Sequence, residues 1–296
     1  MLSRLADGAA WAPVAIFLLL LFALAAAELW RPLRIGRGDS ASRIPGNVAM
    51  GLINAALALF LPLSTVLAAE WAAQSGLGLM NLAPPPLPVA IVATIALRSL
   101  AAYLVHRASH RFAWLWRVHR VHHADTELDL STGIRNHPLE LAFVVPWVAA
   151  VTIAFGLHAP TLLVYEAAAL GFALWDHANL DLPPRLDRLL RLFVVTPAMH
   201  HVHHSAARAE TDSNYGDMLS LWDRLFGTYR ALDADALRAM RIGLGDAFDA
   251  GASSLVHQLR LPVLTPVARS ESGQESGDVG AERVDGVAAL HHHEHG

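Results

Sequence analysis

Histidine is concentrated in three short segments of this chain, and within each segment the residues recur at spacings of three or four. Residues three and four apart lie on one face of a helix, so the imidazoles of each segment would project together. Neutral imidazole is a common ligand of transition metals, and such grouping favours metal binding. The histidines at these spacings are His106, His110, His119, His122, His123, His200, His203 and His204.

Eight imidazoles are too many for one tetrahedral zinc ion, so the spacing predicts a site for two metal ions. The second and third segments also share the pattern His-x2-His-His. Imidazole alone leaves zinc, copper, nickel and iron open. One segment by itself would better fit a polar helix end at a membrane surface. His201 falls on another helical face, and we expect it to lie behind the ligands or on the surface.

Composition excludes several other kinds of site. The chain has no cysteine, which rules out disulfides, thiolate-held zinc, cysteine-ligated iron–sulfur clusters and cysteine nucleophiles. Its formal net charge of −4 gives no basic field for nucleic acid. Any metal must therefore be held by histidines and carboxylates.

The elements that carry the histidines are predicted to be membrane helices. Apolar residues make up 54% of the chain and charged residues 16%, and the mean hydropathy is +0.37. A spanning helix needs roughly 20 mostly apolar residues. Residues 11–27, 47–69 and 87–105 qualify, and 139–155 and 160–175 form a shorter pair. We predict an all-α, polytopic membrane helical bundle of four or five spans, with residues 11–27 as an anchor rather than a removed signal peptide.

Arginine placement predicts the orientation of this bundle, because short cytoplasmic loops collect basic residues. Four arginines follow the first span, and residues 70–86 contain none. The segment after the third span falls on the same side, so the histidine-rich two-metal site would lie in a cytosolic helical cap. All basic residues are arginine, which hints at a GC-rich bacterial genome and hence the bacterial inner membrane. The arginines are Arg31, Arg34, Arg37 and Arg43 in the first loop, and Arg107, Arg111, Arg117 and Arg120 in the second.

The three histidine segments, in this order and spacing, resemble the fatty acid hydroxylase and sterol desaturase superfamily of membrane di-iron enzymes. The resemblance covers about residues 95–262 and is specific for the superfamily, not for one substrate. Further matching motifs are LWRV at 115–118, RNHPLE at 135–140, HANL at 177–180, TP at 196–197, NYG at 214–216 and LWDRLFGT at 221–228.

The resemblance implies that the eight clustered histidines hold two iron ions, with zinc as a possible occupant, and that His137 and His177 are further ligands. His137 precedes a proline and would reach the site from a loop, where a hydrogen bond pinning that loop is the alternative. For His177, at the end of an apolar helix, the alternative is an interfacial residue. Family members often carry Asp seven residues before the first histidine, where this chain has Ser99. Candidate replacements are Asp125, Asp217 and Asp223.

The activity implied by the resemblance is hydroxylation of a lipid, which could be fatty acyl, sterol-like, an ether lipid or a carotenoid. Dioxygen and two electrons are consumed. The chain has no cysteine and no Gly-x-Gly-x-x-Gly motif, so a separate donor is expected, either ferredoxin-like or a cytochrome-type reductase. The arginines around the second histidine segment could dock an acidic donor or simply mark the cytosolic side.

Two alternatives stay open at this point. One is a desaturase or demethylase on the same scaffold, and the other is a membrane protein that binds metal without turnover. Transport favours ionisable residues within several spans. Here the spans carry only Arg98, Glu166 and, at one edge, Glu140, which favours the enzyme.

The predicted organisation has three parts. Residues 1–86 form an N-terminal transmembrane region, 87–262 a fatty acid hydroxylase-like catalytic domain, and 263–296 a disordered tail rich in Ser, Gly and acidic residues. Histidines at 291–295 within this tail are excluded from the site as a flexible tract.

Overall fold

The computed structural model describes residues 8–36, 40–60, 65–245 and 247–264. Throughout this part of the chain the fold is all-α, without a strand, as predicted. Three isolated β-bridges connect loop segments, one of them between Pro32 and Leu180. The predicted tail and its histidine tract lie outside the described residues from 265 onward.

The N-terminal half contains two long helices, two short ones and then the helix that delivers the first histidines. The second predicted span, residues 47–69, is divided between α2 and α3, and residues 61–64 between them lie outside the described residues. Pro86 precedes the fifth helix and Pro88 stands in its first turn, where the missing N–H costs no hydrogen bond. These helices are α1 (Gly8–Trp30), α2 (Ser40–Phe60), α3 (Thr65–Gln74), α4 (Leu79–Leu82) and α5 (Leu87–Arg111).

Three further helices complete the frame around the histidines. α6 (Ala113–His123) follows α5 almost directly and carries the second segment. α7 (Leu141–Phe155) ends at Gly156, whose φ of 65° is the left-handed conformation that favours glycine. The chain then re-enters the bundle as α8 (Ala159–His177), which ends on His177.

Two helices of the described chain are long and apolar enough to cross a membrane, namely α5 (Leu87–Arg111) and Pro138–Phe155, in which a short helical turn at Pro138–Glu140 leads into α7. A shorter apolar helix covers Ala15–Trp30. α8, which contains the predicted short span at 160–175, is long enough at 19 residues but is not apolar enough to qualify. Several of these helices leave large apolar side chains exposed, including Phe22 at 68% and Val92 at 67%. Such surfaces suit contact with lipid and indicate membrane association, while the count of four or five spans stays a prediction.

The rest of the described chain is a cap of short helices. α10 follows Thr196, whose hydroxyl accepts a hydrogen bond from the backbone N–H of Met199 and caps the helix start. Val202 on its inner side packs with Leu33, Leu128 and Ile242. The helices of the cap are α9 (Pro184–Leu190), α10 (Pro197–His203), α11 (Arg208–Thr211), α12 (Leu221–Leu225), α13 (Ala234–Ala239) and α14 (Leu255–Arg260).

A buried ionic network fastens α2 to the turn that follows α6. Arg43 on α2 lies 2.5 Å from a carboxylate oxygen of Asp125 and 2.5 Å from one of Asp129. Arg135 donates to the carbonyl of Val121 at 2.9 Å and to Asn47 on α2 at 2.8 Å. The end of α6, where the second histidine segment lies, is thereby held from two sides.

Candidate metal centre

Nine histidines converge in two adjacent groups at the junction of the apolar helices and the cap. Within each group, one potential ligand nitrogen of every member lies within 4.8 Å of those of the others. All nine are buried except His106, which is partly exposed. The five-histidine group is His106, His110, His119, His123 and His203, and the four-histidine group is His122, His177, His200 and His204.

The separations between ring nitrogens fit a shared metal ion. The Nε2 atom of His177 lies 3.0 Å from that of His122 and 3.0 Å from that of His200. In the other group, Nε2 of His123 lies 3.1 Å from His110 and 3.2 Å from His119. With a metal–nitrogen bond of ~2.1 Å, neighbouring ligands lie ~3.0 Å apart in an octahedron and ~3.4 Å apart in a tetrahedron. The observed distances between neighbouring nitrogens are therefore those expected when the histidines of a group bind one ion.

Backbone carbonyls fix the ring orientation of two histidines in the five-histidine group. Nδ1 of His106 donates to the carbonyl of Tyr215 at 2.9 Å, and Nδ1 of His203 donates to that of Ser213 at 2.7 Å. The Nε2 atom of each ring is then the one with a free lone pair. Both Nε2 atoms are buried and lack a hydrogen-bond partner among the described residues. This is expected for nitrogens whose lone pairs would bind a metal ion.

Carboxylates lie next to the imidazoles of three other histidines in the two groups. Asp176 lies 2.5 Å from Nδ1 of its neighbour His177, while Glu140 and Asp212 lie 3.4 Å from Nδ1 of His119 and His110, respectively. A carboxylate behind a metal-binding imidazole orients the ring and strengthens it as a ligand. None of the three carboxylates was predicted to have this role, although Asp176 directly precedes a predicted ligand.

Burial keeps five of these imidazoles neutral, which is the form that binds metal. Removal from water, reinforced by neighbouring histidines, lowers the pKa of His122, His123, His200 and His204 well below the usual value. Burial likewise lowers the pKa of His203 to about 3. Binding of a metal therefore requires no loss of protons from these rings at neutral pH.

Two histidines near the site lie outside both groups. His137 is buried, and both its nitrogens have protein partners: Nδ1 accepts from the backbone N–H of Leu139 at 3.1 Å, and Nε2 donates to the carbonyl of Leu259 at 3.2 Å. This is the loop-pinning arrangement named as the alternative to ligation. His201 is also buried, and its Nε2 donates to the carbonyl of Ala178 at 3.1 Å, beside His177.

Asp125, Asp217 and Asp223 were predicted as candidate replacements for the aspartate that family members carry at the position of Ser99. In the described structure, none of the three forms a hydrogen bond or ion pair with a histidine. Ser99 instead accepts a hydrogen bond from the indole N–H of Trp222 at 2.9 Å. Asp125 belongs to the ionic network under α6, where Arg135 and Arg43 outweigh the effect of burial and lower its pKa. Asp223 accepts from the backbone N–H groups of Tyr215 and Gly216. It therefore holds the loop whose carbonyl orients His106.

A cavity of about 250 Å³ connects the two histidine groups with the apolar helices. Its wall includes histidines of both groups and side chains of α5, α7 and α8. Arg98 and Asp217 also line it, together with the polar residues Ser109, Asn136, Glu140 and Asp176. The aliphatic residues of the wall are Ala102, Val105, Val144, Val148, Ala169 and Ala173.

The fold and the site together define an all-helical, membrane-associated protein with a histidine-rich centre able to hold metal ions. Residues 91–228 match the family model described as fatty acid hydroxylase. This region contains all nine grouped histidines, and the match supports the resemblance to this superfamily that the sequence motifs predict.

Several relatives share this region. Ornithine lipid hydroxylase OlsE of Rhizobium tropici is 30% identical over 144 residues, which are 49% of this chain and 43% of the relative. Alkylglycerol monooxygenase of Homo sapiens is 30% identical over 131 residues, 44% of this chain and 28% of the relative. The cholesterol 25-hydroxylase-like protein of Danio rerio is 31% identical over 143 residues, 47% of this chain and 54% of the relative.

The chain thus spans between about a quarter and about half of the length of these relatives. No solved structure matches it.

Proposed function

We propose that this protein is a membrane di-iron oxygenase that hydroxylates a lipid with dioxygen and electrons from a separate donor. The observation that carries the proposal is the cavity, because both histidine groups open on it and its remaining wall is formed by apolar helices. A protein that only stored metal would not need such a space beside its ligands. The family match and the hydroxylase and monooxygenase names of the relatives support the reaction class.

In this proposal each histidine group holds one iron ion, and His137 is left out of the ligand set because its two nitrogens already have protein partners. The bound iron pair would supply the activation of dioxygen needed to oxidise an unactivated C–H bond. The chain contributes neutral imidazoles and the carboxylates that orient them, with Asp176 closest to its histidine. Because these imidazoles and carboxylates are already positioned in the folded chain, they would hold the iron ions in a fixed place relative to the substrate.

The cavity wall determines what can be oxidised. Aliphatic side chains such as Val144 and Val148 on α7 and Ala173 on α8 would contact a methylene chain or a hydrocarbon ring and exclude water from the reacting carbon. The same helices border the lipid-exposed surface, so a substrate could enter sideways from the bilayer. A lipid is therefore the class of substrate that fits.

Electrons must come from a partner, because cysteine is absent from the chain and a cysteine-ligated cluster cannot form. The arginines of the second histidine segment contribute less to docking than their sequence suggested. Arg117 donates to the carbonyl of Pro262, and Arg120 to those of Leu261 and Leu264. Arg107 and Arg111 are both exposed and lie four residues apart on one face of α5. They are the better candidates for contact with an acidic electron donor. Together with the positive-inside pattern they support a site on the cytosolic side of a bacterial inner membrane.

The test is incorporation of labelled oxygen. Purified protein is reconstituted in bilayers containing host lipids, with a ferredoxin and its reductase as donor, under isotopically labelled dioxygen. Mass spectrometry should find a lipid alcohol carrying one labelled oxygen atom. His122→Ala and His203→Ala should abolish it, whereas His257→Ala, in α14 and outside both groups, should retain it. A desaturated product without label, or no oxygen consumption at all, would reject the proposal.

A further inference from the structure

A charged pair lies between two of the apolar helices, away from the histidines. The guanidinium of Arg98 on α5 contacts both carboxylate oxygens of Glu166 on α8, through Nε at 2.8 Å and Nη2 at 3.1 Å. Arg98 is only 9% exposed. Ionisable groups inside apolar membrane helices are costly to bury and commonly mark functional positions.

The pair belongs to a larger polar cluster, for which we use the name polar anchor: Arg98, Tyr165, Glu166 and Asp217. The guanidinium lies over the ring of Tyr165 at 5.1 Å, and the Tyr165 hydroxyl donates to Asp217 at 3.2 Å. Nη1 of Arg98 is buried and has no hydrogen-bond partner among the described residues. The anchor therefore has an unused pair of N–H donors.

The polar anchor faces the same cavity as the histidines, since Arg98 and Asp217 both line it. Arg98 and His106 are eight residues apart on α5, and at about 1.5 Å per residue this separates them by ~12 Å along the helix. Ala102 and Val105 line the cavity between them. The cavity thus contacts both the polar anchor and the histidine groups, and along α5 aliphatic side chains lie between Arg98 and His106.

We propose that the polar anchor binds a neutral polar group of the lipid, an alcohol or a secondary amide, and so selects which carbon reaches the histidine groups. This inference rests on the proposed function for the lipid nature of the ligand. An alcohol or amide oxygen would accept from Nη1 of Arg98, and the O–H or N–H of the same group would donate to the carboxylate of Asp217. Binding would supply the partner that Nη1 lacks.

Charge favours a neutral group over an anion. Arg98 contributes one positive charge, and Glu166 already engages it in a bidentate pair. Asp217 adds a second carboxylate beside the same cavity. A phosphate or carboxylate of the lipid would meet these two carboxylates with only one cation between them, which opposes its binding.

The test measures binding without turnover. The full chain is placed in saturated phosphatidylcholine nanodiscs, and its melting temperature is followed as 1-hexadecanol, N-methylhexadecanamide, hexadecanoate or hexadecane is added. Ligands that bind the native state raise the melting temperature in proportion to their affinity. We expect the alcohol and the amide to stabilise the parent more than hexadecane and hexadecanoate do.

The matched variants are R98M/E166Q, which removes both charges together, and R98K, which keeps a cationic donor. The double variant should bind the alcohol and the amide about tenfold more weakly and hexadecane unchanged, the loss expected for a hydrogen bond to a charged group. R98K should keep part of the preference, and Arg185→Met, an exposed arginine on α9, all of it.

Equal stabilisation of the parent by all four probes, strongest binding of hexadecanoate, or an unchanged preference in the double variant would each overturn the proposal. A purely structural ion pair would lower the melting temperature of the double variant without ligand and leave the preference among probes intact. The experiment is independent of oxygenation. A protein that prefers the alcohol but inserts no oxygen would reject the proposed function alone, and a protein that inserts oxygen without this preference would reject the polar anchor alone.

Discussion

His122 and His123 are neighbours in sequence, yet their imidazoles belong to different histidine groups. Their ring planes are 89° apart and their centroids 5.4 Å apart. Successive residues of a helix point in directions about 100° apart, so the last turn of α6 directs one ring to each group. His203 and His204 at the end of α10 repeat the arrangement, with ring planes 85° apart. Each of the two helices therefore serves both groups.

This division predicts that the two groups can be impaired separately. His122→Ala removes a ligand from the four-histidine group and His123→Ala one from the five-histidine group. Because each ion depends on its own ligands, each variant should retain about one of two irons after dialysis against a chelator. The iron content of the purified variants measures this directly.

The control is His137→Ala, which alters a buried histidine outside both groups. It should keep the iron content of the parent, while the loss of two hydrogen bonds lowers the free energy of unfolding by about 1–2 kcal/mol. If His137→Ala lost as much iron as His122→Ala, the division of the site described here would be wrong.

The carboxylate behind His177 should tune the affinity of the four-histidine group without being a ligand. Asp176→Asn preserves the shape of the side chain but removes the charge that lies 2.5 Å from Nδ1 of His177. We expect iron affinity to fall by about 10–100-fold, the usual effect of losing such a partner. Competition with a chelator measures the affinity. Asp181→Asn, a half-exposed residue paired with Arg31 at 3.8 Å, should leave it unchanged, and an equal loss in both variants would count against this role.

Close packing against α8 should make Gly133 sensitive to a single added carbon. A Cβ atom there would lie 2.2 Å from the carbonyl oxygen of Ala173, and that backbone cannot yield without moving the end of α8 and His177. Gly133→Ala should destabilise the protein by about 1–3 kcal/mol and reduce iron in the four-histidine group.

Gly171→Ala on α8 is the matched control, because its added carbon meets only the flexible end of Leu20 at 3.1 Å. Melting temperature and iron content should both stay near the parent values. If Gly133→Ala were as well tolerated as Gly171→Ala, the close approach of the two segments would not constrain the site.

Local spacing explains how much of the site could be predicted from the sequence. Helical spacing grouped the eight clustered histidines, and the structure brings all eight together with His177. It could not show which ring joins which group, because that depends on how α5, α6, α8 and α10 pack. The sequence motifs supported His137 and His177 equally as further metal ligands. What separates them is a distant contact, the carbonyl of Leu259, which occupies Nε2 of His137.

For the fold as well, local features of the sequence were predictable and contacts between distant segments were not. Apolar length predicted α5 and the helix Pro138–Phe155 as candidate spans. Contacts between residues far apart in the sequence could not be predicted. Asp212 lies 102 residues from its partner His110, and Pro262 lies 145 residues from its partner Arg117. Whether Asp125, Asp217 or Asp223 lies near the histidines could not be predicted, because it depends on which loops fold back over α5 and α6. Asp223 affects His106 only through the backbone of Tyr215.

The central claim is that each histidine group holds one iron ion, and anomalous X-ray diffraction at the iron edge tests it most directly. Crystals of the full chain, purified with iron, should give two peaks in the anomalous difference map. One peak should lie among the five histidines around His123 and the other among the four around His204. A single peak shared by both groups, or peaks that appear at the zinc edge and are absent at the iron edge, would contradict it.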